Sequence, residues 1–430
     1  MLTIQRHEDD AHAYLDYARL SSVPVSDAWT STPAVENRVH RIHAYPAKFP
    51  AFMISAALAY AQSEGVEVCR VADVFCGCGT VAYEAAARGL EFWGCDINPV
   101  ATLIAEVKAF KIDVVLFEAH VASVASRFDD ASSSPAISTQ AIDRLLPWYD
   151  ALQFDDLAKL LNAINLERCA SADYRQALLC AFSAIVKPSS RWKSRSIKPA
   201  KDFHRTPDKV LSAFLRQCRF MSRAWPPDGD DSHRKPRIEM GNVTMIEGPD
   251  VPVDLMLTSP PYVTSYEYPD LHQLSALWLG FTGDHRTLRK GVIGTGYRRA
   301  DLGSALRHLN PVATRVVFSL FDKDRSMAEA VAAYFLDMQL VARRCYQFIR
   351  SGGIGIFVIG DTKLQGVGID NANHLVESLL DAGFDKIRVV RRTTKNKANT
   401  PFRMPDGKFS GSPTSISIYG DEYILMAHRP

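Results

Sequence analysis

Asp73-Val-Phe75-Cys-Gly77-Cys-Gly79-Thr80 is the stretch that decides the fold of this 430-residue chain. Residues 66–75 are mostly apolar, which predicts a buried β-strand, and residues 80–88 carry an alanine-rich face, which predicts a helix. Two glycines between a strand and a helix let the backbone approach a ligand closely, and the start of a helix offers free N–H groups to an anion. The stretch therefore predicts a strand–turn–helix unit with a ligand at the turn.

The alternation of strand and helix continues after this turn. Gly89 ends the first helix, residues 90–95 predict a second strand, and residues 99–110 predict a second helix with Pro99 in its first turn. Asp96 follows the second strand, where an acid can accept hydrogen bonds from ribose hydroxyls, although a solvated acid is the simpler explanation. Together, the glycines and Asp96 favour a cofactor that contains adenosine, bound to a parallel sheet.

Beyond residue 110 the alternation is interrupted and then resumes. Residues 111–235 are polar, serine-rich and basic, with helical patterns at 151–164 and 208–220. Five more strands are predicted, at 236–246, 253–257, 353–359, 384–390 and 416–427, and two more helices, at 326–350 and 372–382. No helix separates the last two strands, so we expect them to pair antiparallel. The prediction is an α/β fold with a seven-stranded, mostly parallel sheet, built from an N-terminal extension (1–39), a core (40–110 and 236–430) and an inserted region (111–235).

Composition excludes several classes of protein. Hydrophobic residues make up 47% of the chain and charged residues 23%, which is typical of a globular protein rather than a disordered or fibrous one. No apolar run is long enough to span a membrane, and the N-terminal MLTIQRHEDD lacks the apolar core of a signal peptide, so we expect a cytoplasmic protein. The eight cysteines form no CxxC pair, which favours reduced thiols, and we expect no metal site.

A second motif, Thr258-Ser259-Pro260-Pro261-Tyr262, follows the apolar strand at 253–257. Two prolines could simply end the strand, since proline cannot continue a ladder. However, an aromatic ring at this place can stack on a planar base, while the Ser259 hydroxyl and the Pro260 carbonyl can accept hydrogen bonds from an amino group. The fixed φ of proline would hold these acceptors in place.

These motifs carry a resemblance to a known family. DVFCGCGT lacks the third glycine that is typical of dinucleotide-binding folds. It resembles instead the first motif of the class I S-adenosylmethionine-dependent methyltransferases. Ser259-Pro-Pro-Tyr262 resembles the fourth motif of the amino-methylating DNA methyltransferases, which modify N4 of cytosine or N6 of adenine. Residues 43–50 (HAYPAKFP) are similar to their tenth motif, although a turn entering a core helix is the simpler explanation. The motif order resembles the class whose target-recognition region lies between the cofactor half and the catalytic half.

The resemblance implies an enzyme that transfers a methyl group from S-adenosyl-L-methionine to a flipped-out base in double-stranded DNA. It implies that Lys48 reaches the cofactor's carboxylate and that Tyr262 stacks on the base. The cofactor-binding residues that it implies are Tyr45, Lys48, Phe49, Asp73, Phe75, Gly77, Gly79, Thr80 and Asp96. The catalytic residues that it implies are Ser259, Pro260, Pro261 and Tyr262.

The expected target base depends on the first residue of the second motif. A motif that begins with serine is more typical of the N4-cytosine enzymes, so we expect N4-methylcytosine, with a restriction endonuclease for the same site as a candidate partner. An N6-adenine DNA methyltransferase is the first alternative. An RNA methyltransferase and an inactive DNA-binding protein that keeps the fold are two others.

Basic residues are concentrated in one part of the chain. Residues 187–237 contain fourteen Lys or Arg against five Asp, whereas the whole chain has a net charge of +2. A solvated basic face is the ordinary explanation, but Trp192, Phe203 and His204 interleave with these charges, a mixture that suits phosphates and bases. Two more basic segments lie at 286–299 and 391–408. The DNA contacts that we expect are Arg191, Lys193, Arg195, Lys198, Arg298, Arg299, Arg391 and Arg392.

Overall fold

A mostly parallel sheet of eight strands organises the computed structural model. The structure describes residues 1–4, 20, 22–30, 36–46, 48–194, 196, 198–226, 234–263, 267–393, 402–403, 409–410, 416–417 and 422–430. The strands are β1 (Leu2–Ile4), β2 (Arg70–Asp73), β3 (Glu91–Asp96), β4 (Arg237–Met240), β5 (Val253–Thr258), β6 (Ile349–Gly360), β7 (Asp385–Arg392) and β8 (Glu422–His428). Their order across the sheet is β1-β7-β8-β6-β5-β2-β3-β4.

The strand directions confirm the predicted α/β fold. Strands β2 to β6 pair in parallel, and β8 lies antiparallel between β6 and β7. The predicted antiparallel pairing of the last two strands is therefore confirmed. The sequence did not predict β1, which adds an eighth strand by pairing antiparallel with β7. The predicted strand at 416–427 lies only partly in this sheet. Its first residues, Ile416–Ser417, belong to a separate small sheet, in which Phe402–Arg403 pairs with both Ile416–Ser417 and Phe409–Ser410.

Twelve helices of six residues or more are found in the described part of the chain. They are α1 (Phe52–Ser63), α2 (Thr80–Ala86), α3 (Pro99–Lys108), α4 (Val114–Ser126), α5 (Thr139–Leu145), α6 (Ala151–Leu166), α7 (Ala172–Val186), α8 (Val210–Ser222), α9 (Gln273–Trp278), α10 (Pro311–Phe321), α11 (Arg325–Phe348) and α12 (Asn371–Ala382). Every helix predicted from the sequence is present, whereas α4, α5, α7, α9 and α10 were not predicted. No helix among the described residues is long and apolar enough to cross a membrane.

The two faces of the sheet pack against different helices. Helices α10, α11 and α12 cover one face, where Phe335, Val341 and Leu379 are fully buried. Helices α1 and α2 cover the other face, where Met53 and Val81 pack on the central strands. The sheet is therefore buried on both sides, which explains why β5, apart from Asp254, and much of β6 are mostly apolar.

The inserted region is a helical bundle that continues the core. Helices α4 to α8 share one hydrophobic cluster with α3 and α9. Trp278 of α9 is fully buried, and its ring contacts those of Tyr149, Phe154 and Phe182 in the inserted region. Trp192, which the sequence suggested for contact with bases, is also fully buried and stacks on Trp148 with ring centroids 5.0 Å apart. That suggestion is wrong, because the indole belongs to the core of the bundle.

Candidate active site

The carboxyl ends of the parallel strands open into a cavity of about 710 Å³. In open α/β sheets this edge is where ligands bind. The cavity brings together residues from both sequence motifs and from the segment before α1. The predicted residues that line it are Tyr45, Lys48, Phe49, Asp73, Phe75, Gly77, Thr80, Asp96, Ser259, Pro260, Pro261 and Tyr262.

The glycine-rich turn is held against the end of β3 by Asp96. One carboxylate oxygen of Asp96 accepts a hydrogen bond from the Gly77 N–H at 2.8 Å, and the other accepts one from the Asn98 N–H at 2.8 Å. Burial raises the pKa of Asp96. Each oxygen has a second lone pair, so Asp96 can still accept hydrogen bonds from ribose hydroxyls.

The two glycines of the turn have different roles. Gly77 lines the cavity with φ of +50°, and a Cβ at this position would make ordinary contacts with the Tyr45 ring at 3.5 Å. Gly79 has φ of +72°, and a Cβ there would lie 2.5 Å from the Cβ of Ala105 in α3. The prediction that Gly79 contacts the cofactor is therefore corrected, because this glycine permits close packing of the turn on α3.

Asp73, at the end of β2, is a buried acid at the floor of the site. It accepts hydrogen bonds from the Thr258 hydroxyl at 2.6 Å and from the Phe75 N–H at 3.0 Å. Burial raises the pKa of Asp73 to about 7, although both hydrogen bonds act in the opposite direction. Asp73 thus joins the glycine-rich turn directly to the strand that carries the second motif.

Tyr45 forms one wall of the cavity and is oriented by a residue that the sequence did not suggest. Its ring stacks on His272, with centroids 5.0 Å apart and an angle of 21° between the planes. Asn98, which caps α3 and lines the cavity, lies 3.0 Å from Nδ1 of the same histidine. Burial lowers the pKa of His272 to about 3, so the ring is neutral and can pack against the tyrosine.

Lys48 lines the cavity, but its ammonium group already has a partner. It donates a hydrogen bond to the Glu36 carboxylate, which also accepts one from the Ala51 N–H. Burial acts to raise the pKa of Glu36, but its pairing with Lys48 leaves that pKa below its usual value. The expectation that Lys48 binds a cofactor carboxylate is therefore weakened, and Glu36 is a cavity residue that the sequence pattern did not reveal.

The second motif begins where β5 ends, beside β6. The Ser259 hydroxyl donates a hydrogen bond to the Val358 carbonyl at 3.0 Å. The Pro261 carbonyl accepts a hydrogen bond from the Tyr334 hydroxyl of α11 at 3.1 Å. Both ends of the Ser-Pro-Pro segment are thus tied to neighbouring elements, which holds the motif rigidly at the cavity.

Tyr262 is fixed by a buried ion pair from the last two strands. Its hydroxyl donates a hydrogen bond to Glu422 of β8 at 3.1 Å, and Glu422 pairs with Arg392 of β7 through Nε at 2.8 Å. Burial and the Glu422 carboxylate raise the pKa of Tyr262, so the hydroxyl stays protonated and can donate. Glu422 also lines the cavity, and the sequence gave no sign of it, because its position depends on strand pairing.

The expected DNA contacts have mixed outcomes. Arg392 is only 6% exposed and paired with Glu422, so its assignment to DNA is wrong. Arg191 pairs with Asp150 and Arg298 pairs with Asp337, which occupies both guanidinium groups. Lys193, Lys198 and Arg299 are exposed, Arg391 is half-buried, and Arg195 lies outside the described residues. Most of the basic segment 391–408 also lies outside them.

The cavity fits S-adenosylmethionine in size, charge and hydrogen bonding. Its volume lies in the usual range for small-molecule sites. Glu36 and Glu422 are paired with the two cations of the lining, Lys48 and Arg392, which leaves Asp73 and Asp96 as the acids without a cationic partner in the lining that could face a positively charged sulfonium. The Thr80 hydroxyl is buried at the turn and has no hydrogen-bond partner among the described residues, which leaves it available to a ligand.

Comparison with known proteins finds methyltransferases among the similar chains. The chain is 22% identical over 417 residues to the type II methyltransferase M.MvaI of Kocuria varians, and the match covers 90% of each chain. Among solved structures, a SAM-dependent methyltransferase from Methanosarcina mazei matches 90% of this chain and 98% of its own, with 10% identity and a TM-score of 0.29.

An rRNA methyltransferase, AviRa of Streptomyces viridochromogenes, matches 94% of this chain and 96% of its own, with 10% identity and a TM-score of 0.29. No family model matches the chain. The central strands of this chain are parallel, and β8 is antiparallel to both of its neighbours. The chain has an α/β fold with a mostly parallel sheet, consistent with the Rossmann-like class I fold of S-adenosylmethionine-dependent methyltransferases, and a cavity at the carboxyl edge of that sheet.

Proposed function

We propose that this protein is a DNA methyltransferase that transfers a methyl group from S-adenosylmethionine to the exocyclic N4 amine of a flipped-out cytosine. The glycine-rich turn with Asp96 and Thr80 would hold the cofactor, and Ser259 to Tyr262 would hold the base. Both sets of residues line the same cavity. The cofactor supplies an electrophilic methyl group, and the residues of this chain position the nucleophile.

One hydrogen bond carries this proposal. A serine hydroxyl has a single proton, and Ser259 donates it to the Val358 carbonyl at 3.0 Å. The lone pairs of the Ser259 oxygen can then only accept. A substrate at this position must therefore donate a hydrogen bond to the Ser259 oxygen. The N–H groups of an exocyclic amine can do so.

The chemistry of the amine explains why acceptors matter. The lone pair of an exocyclic amine is delocalised into the ring, which makes the amine a poor nucleophile. Hydrogen bonds from the amine to the Ser259 oxygen and to the Pro260 carbonyl would favour tetrahedral geometry and localise this lone pair. Because the fixed backbone of the prolines and the Tyr334 hydroxyl hold the motif, its acceptors need not reorganise during the reaction.

Tyr262 would provide the stacking surface for the base. A target base must leave the duplex stack to reach the cavity, and the energy lost is recovered partly by stacking on an aromatic ring. The ring is fixed by the hydrogen bond from its hydroxyl to Glu422. A fixed ring loses little entropy when a base binds to it, which favours this role.

DNA as substrate is supported by the type II methyltransferase relative, which aligns with nearly the whole chain. The choice of cytosine depends on the serine at the start of the motif. Adenine N6 is the second candidate, because the acceptors at Ser259 and Pro260 would serve either amine equally well. A restriction endonuclease with the same recognition site is proposed as a partner on the basis of the same relative.

Two measurements test this function together. Isothermal titration should show binding of S-adenosylmethionine that weakens by about 10- to 150-fold in Asp96→Asn, because a charge-assisted hydrogen bond contributes about 1.5 to 3 kcal/mol. Asp130→Asn, at an exposed position in the inserted region, is the matched control and should bind normally. Transfer of labelled methyl groups should then occur to duplex DNA and not to RNA. A protein that binds the cofactor but labels only RNA would contradict the proposal.

A further inference from the structure

A second cleft, outside the cavity, is lined by five arginines and one phenylalanine. This arginine cleft consists of Arg38, Arg41, Arg216, Arg219, Phe220 and Arg223. We infer that the arginine cleft binds backbone phosphates of the DNA duplex next to the flipped nucleotide. The inference rests on the proposed function, because it names the surface that would hold the DNA substrate.

Two elements build the cleft. Arg38 and Arg41 belong to a short 3-10 helix, and Arg216, Arg219 and Arg223 lie along one side of α8 and the residue that follows it. Residues three or four apart on a helix are neighbours, and like charges at this spacing destabilise the helix. The clustering therefore costs free energy in the isolated protein, a cost that an anionic ligand would offset.

Most of these arginines lack an acidic partner. Arg216 pairs with Asp208 at 2.8 Å. In the part of the chain that the structure describes, the other four guanidinium groups have no ion-pair or hydrogen-bond partner, and all four side chains are exposed. No acid lines the cleft. This differs from Arg191 and Arg298, whose guanidinium groups are neutralised by Asp150 and Asp337.

The backbone beneath the arginines is anchored. The Asn37 side chain caps the 3-10 helix by accepting a hydrogen bond from the Val39 N–H at 3.0 Å, and it donates another to the Tyr83 hydroxyl at 3.0 Å. Gln217 of α8 donates a hydrogen bond to the Ile42 carbonyl, which joins the two elements. Val39 and Ile42 are fully buried, whereas Arg38 and Arg41 beside them are exposed, so these two arginines face outward from a fixed support.

The cleft lies close to the cavity along the chain. Arg41 precedes Tyr45, a wall of the cavity, by four residues, which can span at most about 14 Å. A DNA strand advances about 3.4 Å per nucleotide, so this reach corresponds to about four nucleotides. Guanidinium groups bind phosphate oxygens in a two-point geometry. The backbone of Arg41, at one end of the cleft, is therefore placed within about four nucleotide steps of the cavity wall at Tyr45.

The test compares two triple variants with the same change in net charge. The cleft variant is Arg41→Gln, Arg219→Gln, Arg223→Gln. The control variant is Arg315→Gln, Arg325→Gln, Arg343→Gln, on helices α10 and α11 at the opposite face of the sheet. Affinity for a duplex of random sequence is measured between about 50 and 200 mM salt. The cleft variant should reduce the slope of log affinity against log salt by up to about 2.7, at about 0.9 for each lost contact, and the control should not.

The other readouts separate the cleft from the proposed function. Both variants should bind S-adenosylmethionine within a few fold of the wild type and should methylate saturating duplex at the wild-type single-turnover rate. A cleft variant with an unchanged salt slope, in a protein that methylates DNA, would contradict the cleft alone. A lower affinity for single-stranded RNA but not for duplex would also contradict it. A wild-type protein that methylates no DNA would contradict the proposed function itself.

Discussion

The Ser259 hydroxyl donates a hydrogen bond to the Val358 carbonyl at 3.0 Å, and this bond defines what the serine can do. The two residues lie on neighbouring parallel strands, β5 with its following turn and β6. The pairing of these strands thus converts a hydroxyl that could donate or accept into an obligate acceptor. In the proposed reaction, a neutral acceptor would compete for the cofactor's methyl group less strongly than a carboxylate.

Replacing Ser259 with alanine should slow the chemical step and leave the cofactor bound. The variant loses one hydrogen bond to an amine that gains positive charge, which contributes about 1.5 to 3 kcal/mol and corresponds to a rate loss of about 10- to 150-fold. Single-turnover methylation and isothermal titration with the cofactor measure the two effects separately. Ser304→Ala, at an exposed position, should match the wild type in both assays. Full single-turnover activity in Ser259→Ala would show that the hydroxyl does not contact the amine.

Tyr262 should be needed for its ring more than for its hydroxyl. Tyr262→Phe keeps the stacking surface and loses the hydrogen bond to Glu422, so kcat/KM for DNA should fall by only a few fold. Tyr262→Ala removes stacking worth about 1 to 3 kcal/mol and should lower kcat/KM by about 5- to 150-fold. Cofactor affinity serves as the control for folding. Equal losses in the two variants would indicate that Tyr262 acts through its hydroxyl and not through stacking.

The two glycines of the turn should differ in their effect on stability. Gly79→Ala places a Cβ against Ala105 at a positive φ, so it combines backbone strain of about 1 to 2 kcal/mol with overpacking of about 1 to 3 kcal/mol. Gly77→Ala meets only ordinary contacts and should lose no more than the backbone strain, about 1 to 2 kcal/mol. Urea unfolding gives the free energy of unfolding of each variant. A Gly77→Ala protein less stable than Gly79→Ala would contradict this assignment.

Asp73 should make the protein less stable as the pH rises towards neutrality. Burial raises the pKa of this acid to about 7, whereas in the unfolded chain it is near 3.8. Between these two values the folded state binds more protons than the unfolded state, so the free energy of unfolding falls with increasing pH. Asp73→Asn keeps an acceptor for the Thr258 hydroxyl without this titration. The difference in stability between the two proteins should therefore change from pH 4 to pH 7, and a constant difference would contradict the raised pKa.

Sequence patterns predicted the strands of the central sheet well, because each strand is recognisable from the residues within it and next to it. The glycine-rich turn and the motif at Ser259 each follow a mostly apolar strand. The two strands are neighbours in the sheet, which brings Gly77 and Ser259 to one cavity at its carboxyl edge. By contrast, β1 has only three residues, and its position depends on pairing with a strand nearly four hundred residues away. No local pattern can predict such a pairing.

Pairing between distant side chains also limits what the sequence predicts at the site. Arg392 was assigned to DNA because it lies in a basic segment, and Lys48 was assigned to the cofactor's carboxylate because the resemblance to the tenth motif implies it. Their partners, Glu422 and Glu36, are determined by the tertiary fold and not by spacing in the sequence. The arginine cleft was missed for the same reason, since its two halves lie more than 170 residues apart.

The most direct test of the central claim is the identity of the methylated nucleoside. DNA methylated by the purified protein with S-adenosylmethionine is digested to nucleosides, which are separated and analysed by mass spectrometry against N4-methylcytosine, N6-methyladenine and C5-methylcytosine standards. We expect N4-methylcytosine, and we expect it to be absent with Asp96→Asn at low cofactor concentration. N6-methyladenine would overturn the choice of base and leave the amine mechanism standing. C5-methylcytosine, or no methylated nucleoside from a protein that binds the cofactor, would contradict the account.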